Sequence, residues 1–512
     1  MDRIRILATS DVHGYVTPFS YANRKEVEGG LVKIAAQVEA LRDENTILVD
    51  NGDTIQGSPM LYYHHLFRSE TTNPMAKILN AMKYDYVNTG NHEFNYGYEN
   101  AKKYYDDLDA KWICGNIRYN DESINKPYVI HSFANGRKIA LIAAVTDYIT
   151  NWEQPKNIVN VTFDKVFDFV NNAVTLVKAN EQVDAIVVLY HGGYEKDLET
   201  GVPTEALTGE NVGHRLCSEI EGITAVVSGH QHRSIAGYCN GVCTTQTAFN
   251  AKELAMIEIT FDGDEVKAVP SLVKPASTYS EELLGLIADI ENETQEWLDK
   301  PLGELDEGDL LIHDIFDARV HKHPMVSFLN QVQLERSGAD LSGVALANEV
   351  VGFNHFITMR DIVSTYVFPN TLAVMEMSGA NVLAYLEQCA EYFDLDEDGN
   401  FCVSKHFMEP KPQHYNYDMI DGEGVRYTIH VANPVGQRVS DVYVKNEPLD
   451  LEKMYLVVVN NYRSTGGGNF EMFKVSKIHE EIQTDVVECI ADYIQRVKVI
   501  HVNHEDSIKV VK

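Results

Sequence analysis

The stretch IRILATSDVHG, residues 4 to 14, begins as an apolar strand-like run and ends on Asp11 and His13, an acid and an imidazole two residues apart. After a strand, that spacing puts both side chains on the same side of an extended turn, where both can reach one cation. Alone the motif is weak, but the pattern recurs. TILVDNGD (46 to 53) ends on Asp53, YVNTGNH (86 to 92) on Asn91 and His92, AIVVLYHGG (185 to 193) carries His191, and ITAVVSGHQH (223 to 232) ends on His230 and His232. Five apolar runs that each deliver donor groups at the same end describe an α/β layered domain, in which ligands bind beyond the carboxyl ends of the strands. Asp53 is the natural shared ligand of two cations, because a carboxylate has two oxygens and can bridge ions roughly 3.5 to 4 Å apart.

Between these runs lie amphipathic segments such as LVKIAAQVEALRDE (31 to 44) and FDKVFDFVNNAVTLVKANE (163 to 181), with apolar residues at helical spacing. VCTTQTAF (242 to 249) and ELAMIEITFDGDEVKAV (253 to 269) read as closing strands with a hairpin turn. The acidic segment from Tyr279 to Leu305 reads as a connector helix ending at Pro301. The expected organisation is therefore a metal-binding domain over 1–275, a connector over 276–305 and a second domain over 306–512 in which helices and strands are mixed.

Composition sets limits on function. The 512 residues are too many for one core and suggest two domains. A net charge of −33, from 43 Lys and Arg against 76 Asp and Glu, argues against sequence-independent binding to nucleic acids or anionic membranes. An anionic substrate then needs local positive charge, which bound divalent cations supply. Seven scattered Cys fit reduced thiols, and Cys239 with Cys243 lacks the second pair a zinc site requires. With no run approaching roughly 18 apolar residues and no apolar signal core at the start, the expected location is cytoplasmic, unless a secretion signal has been removed.

The ordered series DxH, GD, GNHE, H, GHxH resembles that of the calcineurin-like metallophosphoesterases, and the length and C-terminal half resemble the two-domain 5'-nucleotidase family within them. The resemblance implies a four-layer α/β/β/α sandwich followed by a smaller α+β substrate-recognition domain. It also implies two divalent ions, one held by Asp11, His13, Asp53 and His232 and the other by Asp53, Asn91, His191 and His230. Mixed His, Asp and Asn donors suit manganese, zinc and iron alike. His92 becomes the catalytic imidazole. Three residues on, where the 5'-nucleotidase pattern has an Asp paired with that His, this chain has Asn95. Asn there resembles the branch acting as 2',3'-cyclic-nucleotide 2'-phosphodiesterase and 3'-nucleotidase, as do FPNTLAVMEMSG, YNYDMIDGEGVRYTI and NNYRSTGGGNF.

Such a substrate needs a clamp for its base, and stacking on each aromatic face contributes roughly 1–3 kcal/mol with little regard to base identity. By resemblance Phe368 is one face and Tyr415 or Tyr417 the other, with Asn370 and Asp418 hydrogen-bonding base or ribose and Arg463 contacting phosphate or sugar. Arg360 and Arg426 read as surface charges. DLDEDG (394 to 399) copies the start of a calcium loop, but its twelfth position is Lys405 where a bidentate Glu is needed. GGG (466 to 468) lacks the Lys and Ser or Thr of a phosphate loop. The partner expected is a small nucleotide. The rival readings are a 5'-nucleotidase or nucleotide-sugar hydrolase, and a catalytically silent nucleotide-binding protein.

Overall fold

The computed structural model describes every residue except 1, 152, 205–206, 264, 349, 368–369, 409–411 and 483. The first apolar run is strand Asp2–Thr9, parallel to Thr46–Asp50 on one side and antiparallel to Leu254–Asp262 on the other. These strands belong to a six-stranded sheet completed by Glu265–Val273, Tyr86–Val87 and Lys111–Trp112. A second six-stranded sheet runs in the order Ile235–Cys239, Val242–Gln246, Ala225–Ser228, Ala185–His191, Lys138–Val145, Val129–Ser132.

Side-chain parity explains why the two sheets stack. Ile6, Val49 and Ile257 of the first and Leu141, Val187 and Val227 of the second share one buried cluster, the inner layer of a sandwich. Residues of opposite parity are equally buried: Leu7 and Leu48 in the first sheet, and Ala140, Ile142 and Ala144 in the second. The second sheet's outer face is covered by helix Val166–Asn180 through Val170, Ala173, Val174 and Val177. Helix Leu31–Leu41, beside the first sheet in sequence, buries Leu31, Val32, Ile34 and Val38. Strands buried on both faces must be apolar throughout, which is why these runs do not alternate. Each buried Val, Leu or Ile among them contributes roughly 1.5–3 kcal/mol on burial.

One carboxyl in this layer is out of place. Asp50, 1% exposed, accepts hydrogen bonds from Thr9 Oγ1 (2.7 Å) and Thr54 Oγ1. Burial raises its pKa to about 7; the two threonine hydroxyls pull the other way, and the Glu93 carboxylate adds to the rise. The folded state therefore keeps a proton that the unfolded chain loses above the ordinary value of 3.8. Stability is expected to fall as pH climbs from about 4 to about 7 and to level off above, by up to about 4 kcal/mol for this group. Asp50→Asn should flatten that slope relative to the parent in denaturant titrations at pH 4, 6 and 8; parallel curves would count against it.

The chain divides into two compact units, residues 1–20 with 24–295, and 21–23 with 296–512, the division falling within helix Glu281–Leu298. The second unit is α+β. Its main sheet orders Asp418–Asp421, Leu341–Ala345, Met454–Asn460, Leu372–Ser378 and Lys477–Ile482. Helix Pro324–Ser337 packs on Leu341–Ala345, and Gly379–Ala390 on Leu372–Ser378. DLDEDG ends strand Phe393–Leu395 and enters the turn of its hairpin with Phe401–Val403, where the Asp396 carboxylate accepts from the backbone nitrogens of Asp398 and Asn400. No helix among the described residues is long and apolar enough to cross a membrane.

Candidate metal centre

Every donor residue singled out in the first unit sits at or just beyond the carboxyl end of a strand: Asp11 and His13 after Thr9, Asp53 after Asp50, Asn91 after Val87, His191 ending its own strand, and His230 and His232 after Ser228. Glycine lets the loops converge. A Cβ on Gly90 would lie 2.2 Å from Asp53 Oδ1, and one on Gly52 would lie 2.2 Å from the Gly90 nitrogen. The backbone itself is bent unusually. Asp11, His13, Asp53, His230 and His232 all have φ between 51° and 71°, the left-handed region that residues with a Cβ adopt at a cost of order 1 kcal/mol or more each.

The donor atoms gather into two groups. Those of Asp11, His13 and His232 lie within 4.8 Å of one another, as do those of Asp53, His191 and His230. Asn91 Oδ1 sits 3.2 Å from His191 Nε2 and 2.8 Å from His230 Nδ1. Asp53 Oδ2 is 3.1 Å from His191 Nε2, and its other oxygen accepts from the His92 backbone nitrogen (2.8 Å).

Imidazole tautomers test whether cations fit here. His13 Nδ1 faces the Gln56 carbonyl at 3.1 Å, His191 Nδ1 the Asn51 carbonyl at 2.8 Å, and His230 Nε2 the Glu210 carboxylate at 3.0 Å. Each partner only accepts, so each of those nitrogens carries the hydrogen and the opposite nitrogen points its lone pair inward. Inward lone pairs then face the Asn91 oxygen, the Asp53 carboxylate and the second imidazole, His232 Nε2, 3.1 Å from His13 Nε2. Acceptor against acceptor is repulsive unless positive charge lies between them, so the donor set fits divalent cations.

The electrostatics show the same demand for positive charge, which a proton on His191 Nε2 meets where no cation is bound. Burial disfavours charge on His191, but the Asp53, Asp11 and Glu93 carboxylates outweigh it and push the ring up to about 10. Burial opposes ionisation of Asp53 as well, yet His191 and His92 hold it well below the usual carboxylate range. Burial holds His13 down at about 3, keeping a neutral ring of the kind a cation requires.

His92 stands beside this set, its ring centroid 5.3 Å from that of His13, and its Nδ1 lies 2.6 Å from Asn95 Oδ1. Two acids not assigned from sequence support the arrangement. Glu93 accepts from the backbone nitrogens of Asp53 (2.9 Å), Thr54 (2.6 Å) and Gly90 (2.6 Å), tying two donor loops to one carboxylate. Its signal was the E of GNHE. Glu210, in a loop with no motif of its own, fixes the His230 ring. Glu210→Ala is expected to weaken binding at one of two metal sites by about 10–100-fold while leaving the other, measured by competition with a chelating dye; two unchanged sites would remove the role.

In the second unit the expected nucleotide contacts fare less evenly. Phe368 lies outside the described residues. Asn370 is half-buried and donates to Tyr366 Oη (3.3 Å). Tyr415 is half-buried, its ring 6.3 Å from that of Tyr462 at 69°. Tyr417 must be corrected: it is fully buried and stacked on Tyr392 at 4.7 Å, so it has no face to offer a base. Asp418 and Arg463 also need correction. They form a buried ion pair at 2.6 Å, Asp418 also accepts from Tyr385 Oη (2.6 Å), and Arg463 donates to the carbonyls of Tyr415 and Gly467. Their charges are spent inside the protein, where they brace the Tyr415 turn and the glycine loop. Tyr462, unassigned from sequence, is 41% exposed and shares that surface with Tyr415.

Comparison with known proteins accounts for both units. Residues 4–234 match the family description "Calcineurin-like phosphoesterase", and residues 302–475 match "5'-nucleotidase, C-terminal domain". A solved Staphylococcus aureus protein, provisionally named a 5'-nucleotidase and bound to alpha-ketoglutarate, is 35% identical and superposes with a TM-score of 0.79, each chain covered fully. The chain belongs to the 5'-nucleotidase family of calcineurin-like phosphoesterases. Relatives in it are named as phosphodiesterases and nucleotidases, so the chain is a phosphoric ester hydrolase, and calcineurin-like phosphoesterases use divalent metals. Other relatives are more distant. The 2',3'-cyclic-nucleotide 2'-phosphodiesterase/3'-nucleotidase of Salmonella typhimurium is 26% identical over 91% of this chain and 81% of its own length. The trifunctional nucleotide phosphoesterase protein YfkN of Bacillus subtilis is 25% identical over 97% of this chain, which spans 38% of that longer protein.

Proposed function

We propose that this chain hydrolyses nucleotide phosphoesters, opening 2',3'-cyclic nucleotides to 3'-nucleotides and then releasing nucleoside and phosphate. Asn95 opposite His92 Nδ1 carries the reading, because it is the feature that separates this site from the 5'-nucleotidase pattern. The Salmonella relative with that named activity supports it. Two divalent cations, when bound, supply positive charge to the phosphoryl group and make hydroxide available near neutral pH. Asp11, His13, Asp53 and His232 would hold one and Asp53, Asn91, His191 and His230 the other. His92, oriented through Nδ1, presents Nε2 to the transferring phosphoryl or the leaving oxygen. Tyr415 and Tyr462 offer aromatic surface to the base, and Asn370 an amide.

The Staphylococcus aureus likeness favours a second reading, hydrolysis of 5'-nucleotides on the same metals. Phosphate release by manganese-loaded protein from 2',3'-cyclic AMP, 3'-AMP and 5'-AMP, with a chelated control, separates the two. Preference for the first pair supports the proposal. Preference for 5'-AMP replaces it with the second reading, and release from none leaves an unrelated phosphoester or a silent nucleotide binder.

A further inference from the structure

Asn95 poses a problem for the site it serves. A side-chain amide is nearly symmetric in shape, so an asparagine can offer a neighbouring imidazole either its oxygen or its NH2, and the two choices select opposite tautomers. Only the oxygen accepts from His92 Nδ1–H, so that Nε2 can give a proton to the leaving oxygen and leave the ring as the neutral Nδ1–H tautomer.

The other end of the amide removes the ambiguity. Asn95 Nδ2 donates to Glu153 Oε2 at 2.7 Å, and Glu153 is 8% exposed. An ionised carboxylate only accepts, so the NH2 must face Glu153 and the oxygen must face His92. Glu153 is in turn pinned through its second oxygen, which accepts from Asn157 Nδ2 (2.8 Å) and the Gln154 backbone nitrogen (2.7 Å). Asn157 Nδ2 also donates to the Asn95 carbonyl (2.9 Å), locking both segments together.

Building on the phosphoester reading above, we propose that Glu153 is a positioning residue for the reaction: it fixes the Asn95 amide, and through it the His92 tautomer, and so takes the place of a direct carboxylate partner. A negative group one step further back also polarises the amide, making Asn95 Oδ1 a stronger acceptor.

The geometry gives an unusual test. In Glu153→Gln, the oxygen of the introduced amide is held by Asn157 and the Gln154 nitrogen, so its NH2 faces Asn95. The Asn95 amide must then turn over and present NH2 to His92. Asn95→Asp alone sets two carboxylates against each other. In the double variant, the amide introduced at position 153 donates its NH2 to the carboxylate introduced at position 95, whose other oxygen accepts from His92. Turnover on the best substrate of the panel above, with metal content matched, should fall at least tenfold in kcat for Glu153→Gln, with KM within about twofold. Asn95→Asp should fall comparably, and the double variant should recover to within about threefold of the parent. Nitrogen-15 shifts of the His92 ring should show hydrogen on Nδ1 in the parent and on Nε2 in Glu153→Gln.

A mere loop staple would not give recovery on losing both native partners. Parent-like kcat and tautomer in Glu153→Gln, or a double variant no better than Asn95→Asp, would overturn the proposal. Should Glu153→Gln not fold, the comparison of the double variant with Asn95→Asp decides alone. If the parent turns over no substrate of the panel, the phosphoester reading has failed, and the ring shifts still decide whether Glu153 sets the tautomer.

Discussion

Asp53→Asn should fold, yet lose metal at both donor groups and with it nearly all turnover. Asparagine tolerates the left-handed φ of 57° at this position and keeps the shape of the side chain, so the loop should survive. What goes is the charge that lies against His191 Nε2 and, as the proposed bridge, would serve both ions at once. Changes one shell further out already weaken metal binding by about 10–100-fold, so loss of the bridging charge should exceed about 100-fold. Cations contribute several kcal/mol of charge stabilisation, and kcat/KM should fall by about 10³-fold or more. Metal counted per chain by mass spectrometry, beside thermal unfolding, checks this. Two ions retained with activity within tenfold of the parent would show that Asp53 does not bridge.

His92→Ala should separate chemistry from metal binding. The ring stands outside both donor groups, touching His13 edge-on, and its side chain is held by Asn95. Metal content should be unchanged, KM should move little, and kcat should drop by about 10²–10⁴-fold, the usual worth of a positioned acid or base. Turnover within a few fold of the parent would exclude His92 from the reaction.

The candidate donors that the structure gathers were legible in the sequence because strand ends and loops are local. A run of Val, Ile and Leu followed at once by Asp or His places that residue at the sheet's rim whatever the rest of the chain does. Glu210 and Glu153 were not legible. Each acts through a partner, His230 at 20 positions' remove and Asn95 at 58, and neither carries a motif. The HYNYD segment misled for a conformational reason. Tyr415 and Tyr417 would share a face in a strand, but His414–Asn416 is a tight helical turn and the strand begins only at Asp418, so one ring stays near the surface and the other enters the core. Arg463 misled because burial cannot be read from a lone basic residue: its neighbour Asp418 consumes the charge a phosphate would have used.

The five left-handed donor positions bear on how this protein could be engineered. A campaign guided by stability alone would be drawn to Asp11, His13, Asp53, His230 and His232, since glycine at each relieves the backbone. Those changes would erase the candidate metal centre, so hardening this scaffold has to begin elsewhere, and a heat-resistant variant enriched at these sites would be a warning of lost activity rather than an improvement.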